Sequence, residues 1–528
     1  MTTVQKTEGI IPWLKYKINY GLTFKGMITF TIVWEFCIIL FLSTFSEPIK
    51  LVLGQPLFPI TLDPDPIEKA GRLVMIYHSI AVPFIATCTY FVMEIMDVRE
   101  KLKSRIKFPL FFGSILASAN AVLFTYIFPE AWILHGLYLV GLSLCFYAGI
   151  LLLIGVFPTK SFPPRDSENS RNILLEQVAL TLLAICILIS VVLGASVGAF
   201  FGQEGLSVML AEYFLRHDMY PYEVAELFID AIKAHLHVML ALIDVIILLV
   251  VYRYTVTNQK GRWHLISMIL VIPGMLILSL GAWFVTLNSV VDWPFDMHYL
   301  IYVGSAILVT VGVILAFTGW SKTSKEILGD AYESASWFTR TKAVFKAPVK
   351  FALYFQFIWV NFVMTFGGIF LALSLRGSTD PEGASPLTNV LGLVSFRDGP
   401  LAIETTVARG HWHVLATLSA IILLLLCIDI LDIQGLARKV MAWLLFAGSI
   451  LAFGFALIYL YFPHLDQTWA TNLTKYADVQ EFWDATAFWL PLVIDLGIML
   501  FVIALVIFCF YQLIEIIKGR KDVINFPE

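Results

Sequence analysis

Charge is what this sequence has least of. Only 14% of its 528 residues are Asp, Glu, Lys or Arg, against 59% hydrophobic, and the mean hydropathy is +0.83. A soluble domain of this length cannot cover its surface with so few charges, so the composition excludes one and points to a polytopic membrane protein. The charges nearly balance, 35 basic against 39 acidic. No basic tract occurs, which removes nucleic acid as a partner. Cysteine is sparse too. Cys37, Cys88, Cys145, Cys186, Cys427 and Cys509 stand singly in apolar runs and read as small buried hydrophobes. There is no C-x-x-C for dithiol chemistry and no C-x-x-C-H for covalent haem attachment. A P-loop, a dinucleotide fingerprint and a Ser/His/Asp arrangement are missing as well. The segment 1–20 is mixed polar, and no cleavable signal is expected in it. Redox chemistry or transport within a bilayer remain.

What is present is a series of apolar stretches. Twelve are long enough to span, at about 20 residues each: 25–46, 70–95, 108–128, 131–157, 172–200, 228–252, 263–288, 297–320, 349–374, 408–431, 438–462 and 486–516. Lys and Arg collect in the even-to-odd connections: Arg99 to Lys107 after the second stretch, Arg253 to Arg262 after the sixth, Lys322 to Lys346 after the eighth. The alternate connections are acidic or neutral. Both termini are therefore expected on the cytoplasmic side of a prokaryotic-type inner membrane. The fold class expected is all-α integral membrane, with twelve helices in three pseudo-symmetric four-helix arcs of one domain (about 25–157, 172–320 and 349–516).

Histidine carries the repeat. Ala234-His235-Leu236-His237-Val238 in the sixth stretch matches Gly410-His411-Trp412-His413-Val414 in the tenth. Tyr77-His78-Ser79 stands at the corresponding depth of the second. Three stretches four apart thus bring histidine to one outer level. Residues two apart on a helix point roughly 200° apart, so an H-x-H serves two cavities. Ionisable, metal-competent side chains in a bilayer are costly and mark functional sites. A pair of imidazoles from facing helices suits a low-spin electron-transfer haem; copper or non-haem iron needs three or more His or carboxylate ligands.

Other charges lie in or near the apolar runs. Glu35 and Asp495 are nearest mid-bilayer and are the proton-transfer candidates. For Glu94, Asp97 and Glu176 local pairing at span ends is the expected role. His135, His298 and His464 read as interfacial caps and His217 as a loop histidine.

Two fragments resemble a known family. Arg72-Leu-Val-Met-Ile-Tyr-His78, followed by an apolar run with Tyr90, and Thr405-Thr406-Val-Ala-Arg-Gly-His411-Trp-His413 are similar to helices 2 and 10 of subunit I of the haem-copper oxidase superfamily, in its nitric oxide reductase-like branch. His235-Leu236-His237-Val238 is similar to its helix 6. The resemblance implies that His78 and His413 are the axial pair of a low-spin haem and that His411 is the proximal ligand of a second haem. His235 or His237 then stands at the family's first copper or non-haem-iron ligand. It also implies two b-type haems, an electron-donating cytochrome or quinol, and other subunits of a respiratory complex around the chain.

The sequence departs from that family in two places. The seventh stretch reads Ser279-Leu280-Gly281-Ala282-Trp283-Phe284 where adjacent histidines are expected, and its His264 lies at the opposite end. The tyrosine and glutamates expected after the helix 6 histidine are replaced by Met239, Ala241 and Ile243. A three-histidine copper site cannot be assembled. Either an altered metal site survives on His235 and His237, with help from Glu226, Asp230 or Glu404, or His237 faces His411 across a second bis-histidine haem. The first reading is an oxidoreductase with an altered active site. The second is a purely electron-transferring dihaem subunit, and a secondary transporter is the reading from a different class.

Overall fold

A computed structural model describes residues 23–43, 66–128, 131–159, 162, 170–201, 221–255, 261–285, 297–375, 403–461 and 486–518. Side chains are described for a narrower set that leaves out 66–73, 221–231, 363–375 and 403–414, among others. The described residues are helical almost throughout. In chain order the helices are α1 (Phe24–Ser43), α2 (Pro66–Ile95), α3 (Glu100–Val122), α4 (Trp132–Val156), α5 (Ser170–Phe201), α6 (Pro221–Thr255), α7 (Arg262–Val285) and α8 (His298–Leu328). They continue with α9 (Trp337–Phe345), α10 (Pro348–Leu375), α11 (Ile403–Ile430), α12 (Gly435–Ser449), α13 (Phe455–Tyr461) and α14 (Trp489–Lys518). A π-turn, Leu123–Ile127, extends α3, and another, Ile450–Gly454, joins α12 to α13.

In the described residues each of the twelve apolar stretches of the sequence overlaps a helix. In a bilayer core a segment must satisfy its backbone groups internally, and a helix does this within one segment. Among the described residues nine helices are long and apolar enough to cross a membrane, or ten if α9 and α10 count as one bent span. The chain is an all-helical, multi-pass integral membrane protein.

The chain divides into two compact units, 1–254 with 258–301, and 255–257 with 302–528. In the first, helices adjacent in sequence are neighbours in space: α1 packs on α2, α2 on α3, α3 on α4 and α4 on α5, while α5 also packs on α7. The α3–α4 contact is the closest. Gly113 and Gly141 face each other there, and a Cβ on Gly141 would stand 2.8 Å from the Gly113 carbonyl and collide with the Ala117 backbone. Lipid is as apolar as leucine, so helices gain by close packing, and small residues permit it. The opposite side of α4 presents Leu139, Val140, Tyr147 and Ile154, all exposed as a lipid-facing surface requires.

In the second unit α10 packs against α11 and α12, and α12 against α14. The Gln356 side chain donates to Ser449 Oγ at 2.8 Å, tying α10 to the end of α12. Phe345, Phe351, Trp443 and Phe446 interleave beside it. The nine-residue α9 is bent by 115° from α10. Ser336 caps it, accepting from the Thr339 amide at 3.2 Å. Trp337 and Phe338 are 75% and 71% exposed, with Arg340 and Lys342 following in the same short helix. Exposed aromatics beside basic residues on a helix turned away from the span are the pattern of a segment lying in the interface plane.

Candidate functional site

The site is built on α2 around Pro83. Proline has no amide hydrogen, so the carbonyl four residues earlier loses its helical donor. That carbonyl is Ser79's. The Ser118 hydroxyl of α3 donates to it at 2.5 Å, and the Trp34 indole of α1 donates to Ser118 Oγ at 2.9 Å. Three helices are thereby tied together one residue from His78. The His78 ring is fixed by its own helix, since its Nδ1 donates to the Val74 carbonyl at 2.8 Å. A carbonyl can only accept, so the proton sits on Nδ1 and the Nε2 lone pair is left for a ligand.

The imidazole beside His78 is that of His235, on α6. The two ring centroids lie 6.3 Å apart with 39° between the planes. The His235 ring lies against the backbone of Gly194 in α5, where a Cβ would stand 2.5 Å from Cε1. One turn earlier in α5, Ser190 accepts from the Trp283 indole of α7 at 3.0 Å, which holds this wall in place. The His235 ring also lies within hydrogen-bond reach of the Ser190 backbone carbonyl. A row of rings continues from the other side of His78: Tyr138 at 6.1 Å, then His135 at 6.1 Å from Tyr138, then Phe124 of the π-turn at 5.3 Å from His135. His135, read from the sequence as an interfacial cap, is thus part of a ring stack leading to His78. His237 is half-buried on the same helix as His235.

The remaining candidates are distributed as follows. Glu35 lies next to Trp34 on α1. Its Oε1 is buried without a hydrogen-bond partner among the described residues. Glu35 and Asp244 both lie within electrostatic reach of the Cys88 thiol. Asp495 is exposed on α14. His411 and His413 belong to α11, and their side chains lie outside the described residues, as do those of Glu226, Asp230, His298 and Glu404, while His217 and His464 lie outside them altogether. Among the described residues no group of three or more His, Cys, Asp or Glu is arranged to hold a metal ion.

A second polar cluster lies at the other end of the first unit. Arg253 of α6 reaches Asp97 at 3.3 Å and Glu176 at 3.5 Å, and His264 Nε2 lies 3.4 Å from the same Glu176 oxygen. Glu94 pairs with Lys107 at 3.2 Å. The local pairing expected for Glu94, Asp97 and Glu176 is what the structure contains. The sequence reading did not bring Arg253 and His264 into that pairing. The signal was available: both lie at the ends of apolar runs whose neighbours carry unmatched acids. Burial pushes the Asp97 carboxyl above its ordinary value, the Arg253 guanidinium pulls it back, and the Glu176 carboxylate pushes it further up.

His78 and His235 bring two imidazoles together from α2 and α6. Two imidazoles that bind one metal from opposite sides at about 2 Å have centroids roughly 6 Å apart, which is their separation here. Gly194 leaves room for the His235 ring, whose Cε1, Nδ1 and Nε2 all lie on its side. The pairing differs from the one the resemblance implies, in which His78 faces His413. No family model, no curated protein and no solved structure matches this chain.

Proposed function

We propose that the chain is a haem-binding membrane oxidoreductase subunit, similar to subunit I of the haem-copper oxidase superfamily in its nitric oxide reductase-like branch. In this reading it passes electrons through a low-spin haem to a second haem with an altered active site. The observation that supports the reading best is the contact between His78 and His235. Two half-buried imidazoles with ring centroids 6.3 Å apart, one with its tautomer set by a backbone carbonyl, are an arrangement a transporter has no evident use for. A bis-imidazole haem supplies one-electron transfer without bond making. The chain's own part is to hold the ligands. Val74 orients His78, Ser118 and Trp34 steady the α2 backbone beside it, and Gly194 seats His235. His411 is the candidate ligand of the second haem. Twelve spans in three arcs, cytoplasmic termini, and a cytochrome or quinol as donor within a larger respiratory complex belong to the same proposal.

The test is a visible spectrum of the purified chain with iron and copper counted per molecule. A Soret band with the narrow reduced bands of low-spin iron is expected, and a colourless preparation ends the haem reading in favour of transport. Replacing His235 and His413 by alanine in turn assigns the partner of His78: the variant that loses the low-spin bands identifies the second axial ligand. Carbon monoxide added to the reduced protein separates an enzyme, which binds it at an open iron, from a dihaem electron carrier, which does not.

A further inference from the structure

We propose that the cluster formed by Asp97, Glu176, Arg253 and His264 is a proton-binding site that holds one exchangeable proton between Glu176 and His264. The proposal is independent of whether the chain carries haem.

Four segments bring charged groups to this point. The turn between α2 and α3 contributes Asp97, α5 contributes Glu176, α6 contributes Arg253 and Tyr252, and α7 contributes His264 and Ser267. The nearby cations of α3 have carboxylates of their own: Lys103 lies 2.6 Å from Glu100, and Lys107 lies 3.2 Å from Glu94. Lys103 also lies within electrostatic reach of Asp97, but among the described residues the cation that Asp97 and Glu176 both contact is the guanidinium of Arg253. With both acids ionised and the imidazole neutral, the group carries one negative charge in excess. Glu176 is 4% exposed and His264 is 2% exposed, and an unbalanced charge at such burial costs several kcal/mol. One proton removes the imbalance.

The geometry shows where that proton goes. His264 Nε2 faces Glu176 Oε2 at 3.4 Å, a contact that a shared proton would shorten. Both ring nitrogens of His264 are buried with no hydrogen-bond partner among the described residues, while the Tyr252 hydroxyl and Ser267 are within hydrogen-bond reach of each other. The Tyr252 and His264 rings are 5.1 Å apart. Buried polar atoms in native proteins are nearly always satisfied. Two unsatisfied imidazole nitrogens, one of them facing a carboxylate, mark a place built for a mobile proton, which on the Glu176–His264 pair lets Nε2 donate to the carboxylate while Nδ1 keeps a hydrogen of its own. Asp97 and Arg253 serve as positioning residues that set the charge balance. The cluster sits among the Lys/Arg-rich turns, the end of the unit where protons would be collected from the cytoplasmic side.

The test is a difference titration of the purified full chain, counting protons bound between about pH 5 and 8, where an imidazole-based site titrates. Glu176→Gln is expected to bind one proton fewer than the wild type. His264→Phe should lose the same proton, and the double variant should lose no more than either single one. Glu176→Asp, which keeps the charge, should retain it. Superposable titrations of wild type and Glu176→Gln overturn the proposal. So does a double variant that loses two protons, because the groups then titrate independently. Equal losses in Glu176→Asp and Glu176→Gln also overturn it, because the carboxylate charge then does not hold the proton.

Discussion

The Ser118 hydroxyl donates to the carbonyl of Ser79, the group that Pro83 deprives of its helical donor. The bond does two jobs at one place. It satisfies a carbonyl that would otherwise lie unpaired in an apolar interior, and it fixes the backbone that carries His78. Ser118→Ala removes it, and leaves the Trp34 indole without its acceptor as well. Hydrogen bonds between membrane helices are worth about 0.6 kcal/mol on average, because the unfolded chain also finds partners. Orphaning a buried carbonyl costs more, about 1–3 kcal/mol. The carbonyl here has no alternative helical donor, so a loss of about 1 kcal/mol or slightly more is expected. Reversible unfolding in matched detergent micelles measures it. Conservative Ser118→Thr, which keeps the hydroxyl, should lose less than half as much.

Gly194 and Gly198 stand one turn apart on α5 and make a matched pair. Alanine at Gly198 meets nothing within 4 Å, whereas at Gly194 its methyl would stand 2.5 Å from His235 Cε1. Glycine to alanine within a helix gains up to about 1 kcal/mol, and overpacking costs roughly 1–3 kcal/mol. Gly198→Ala should therefore raise the melting temperature slightly. Gly194→Ala should lower it, because the imidazole has to move. If haem is bound as proposed, the same variant should also weaken its low-spin bands. Equal behaviour of the two variants would show that Gly194 does not seat His235.

The helices were legible in the sequence because hydropathy and length suffice to specify a span. Among the described residues each apolar stretch from 25–46 to 486–516 overlaps a helix, and nine or ten of these helices are long and apolar enough to span. Pairing at the span ends was legible for a related reason: Glu94, Asp97 and Glu176 stand where apolar runs meet basic turns, and each has a cation within 3.5 Å. The neighbour of His78 was not legible. Which imidazole faces another depends on the rotation of each helix about its axis, and a periodic apolar pattern constrains that rotation poorly in helices that are hydrophobic all round. Pro83 did signal that the Ser79 carbonyl needed a donor. That the donor would come from Ser118 depended on the close approach of α3. The repeat of the H-x-H motif singled out His235 and His237 as site candidates but paired neither with His78, which lies beside His235. For His411 and His413 the comparison falls on side chains outside the described residues.

Asp97 provides a test through pH. Burial and the neighbouring Glu176 carboxylate push its carboxyl above the ordinary value, and the guanidinium of Arg253 does not fully offset them. The folded protein therefore holds a proton on Asp97 over a window in which the unfolded chain, with an ordinary value of about 3.9, has already released it. More protons are bound to the native state than to the unfolded state in that window, so the unfolding free energy falls as pH rises through it. The stability that this proton contributes is fully present below the ordinary carboxylate value and is lost as pH climbs to the raised one. Asp97→Asn keeps a hydrogen-bonding group beside Arg253 and cannot titrate. Its stability should depend less on pH, and it should gain on the wild type steadily from about pH 4 towards neutrality. Denaturation midpoints of the two proteins across that range measure the difference. Parallel curves would mean that Arg253, and not burial, governs Asp97. Asp97 would then be ionised beside Arg253, with Glu176 as the charge in excess.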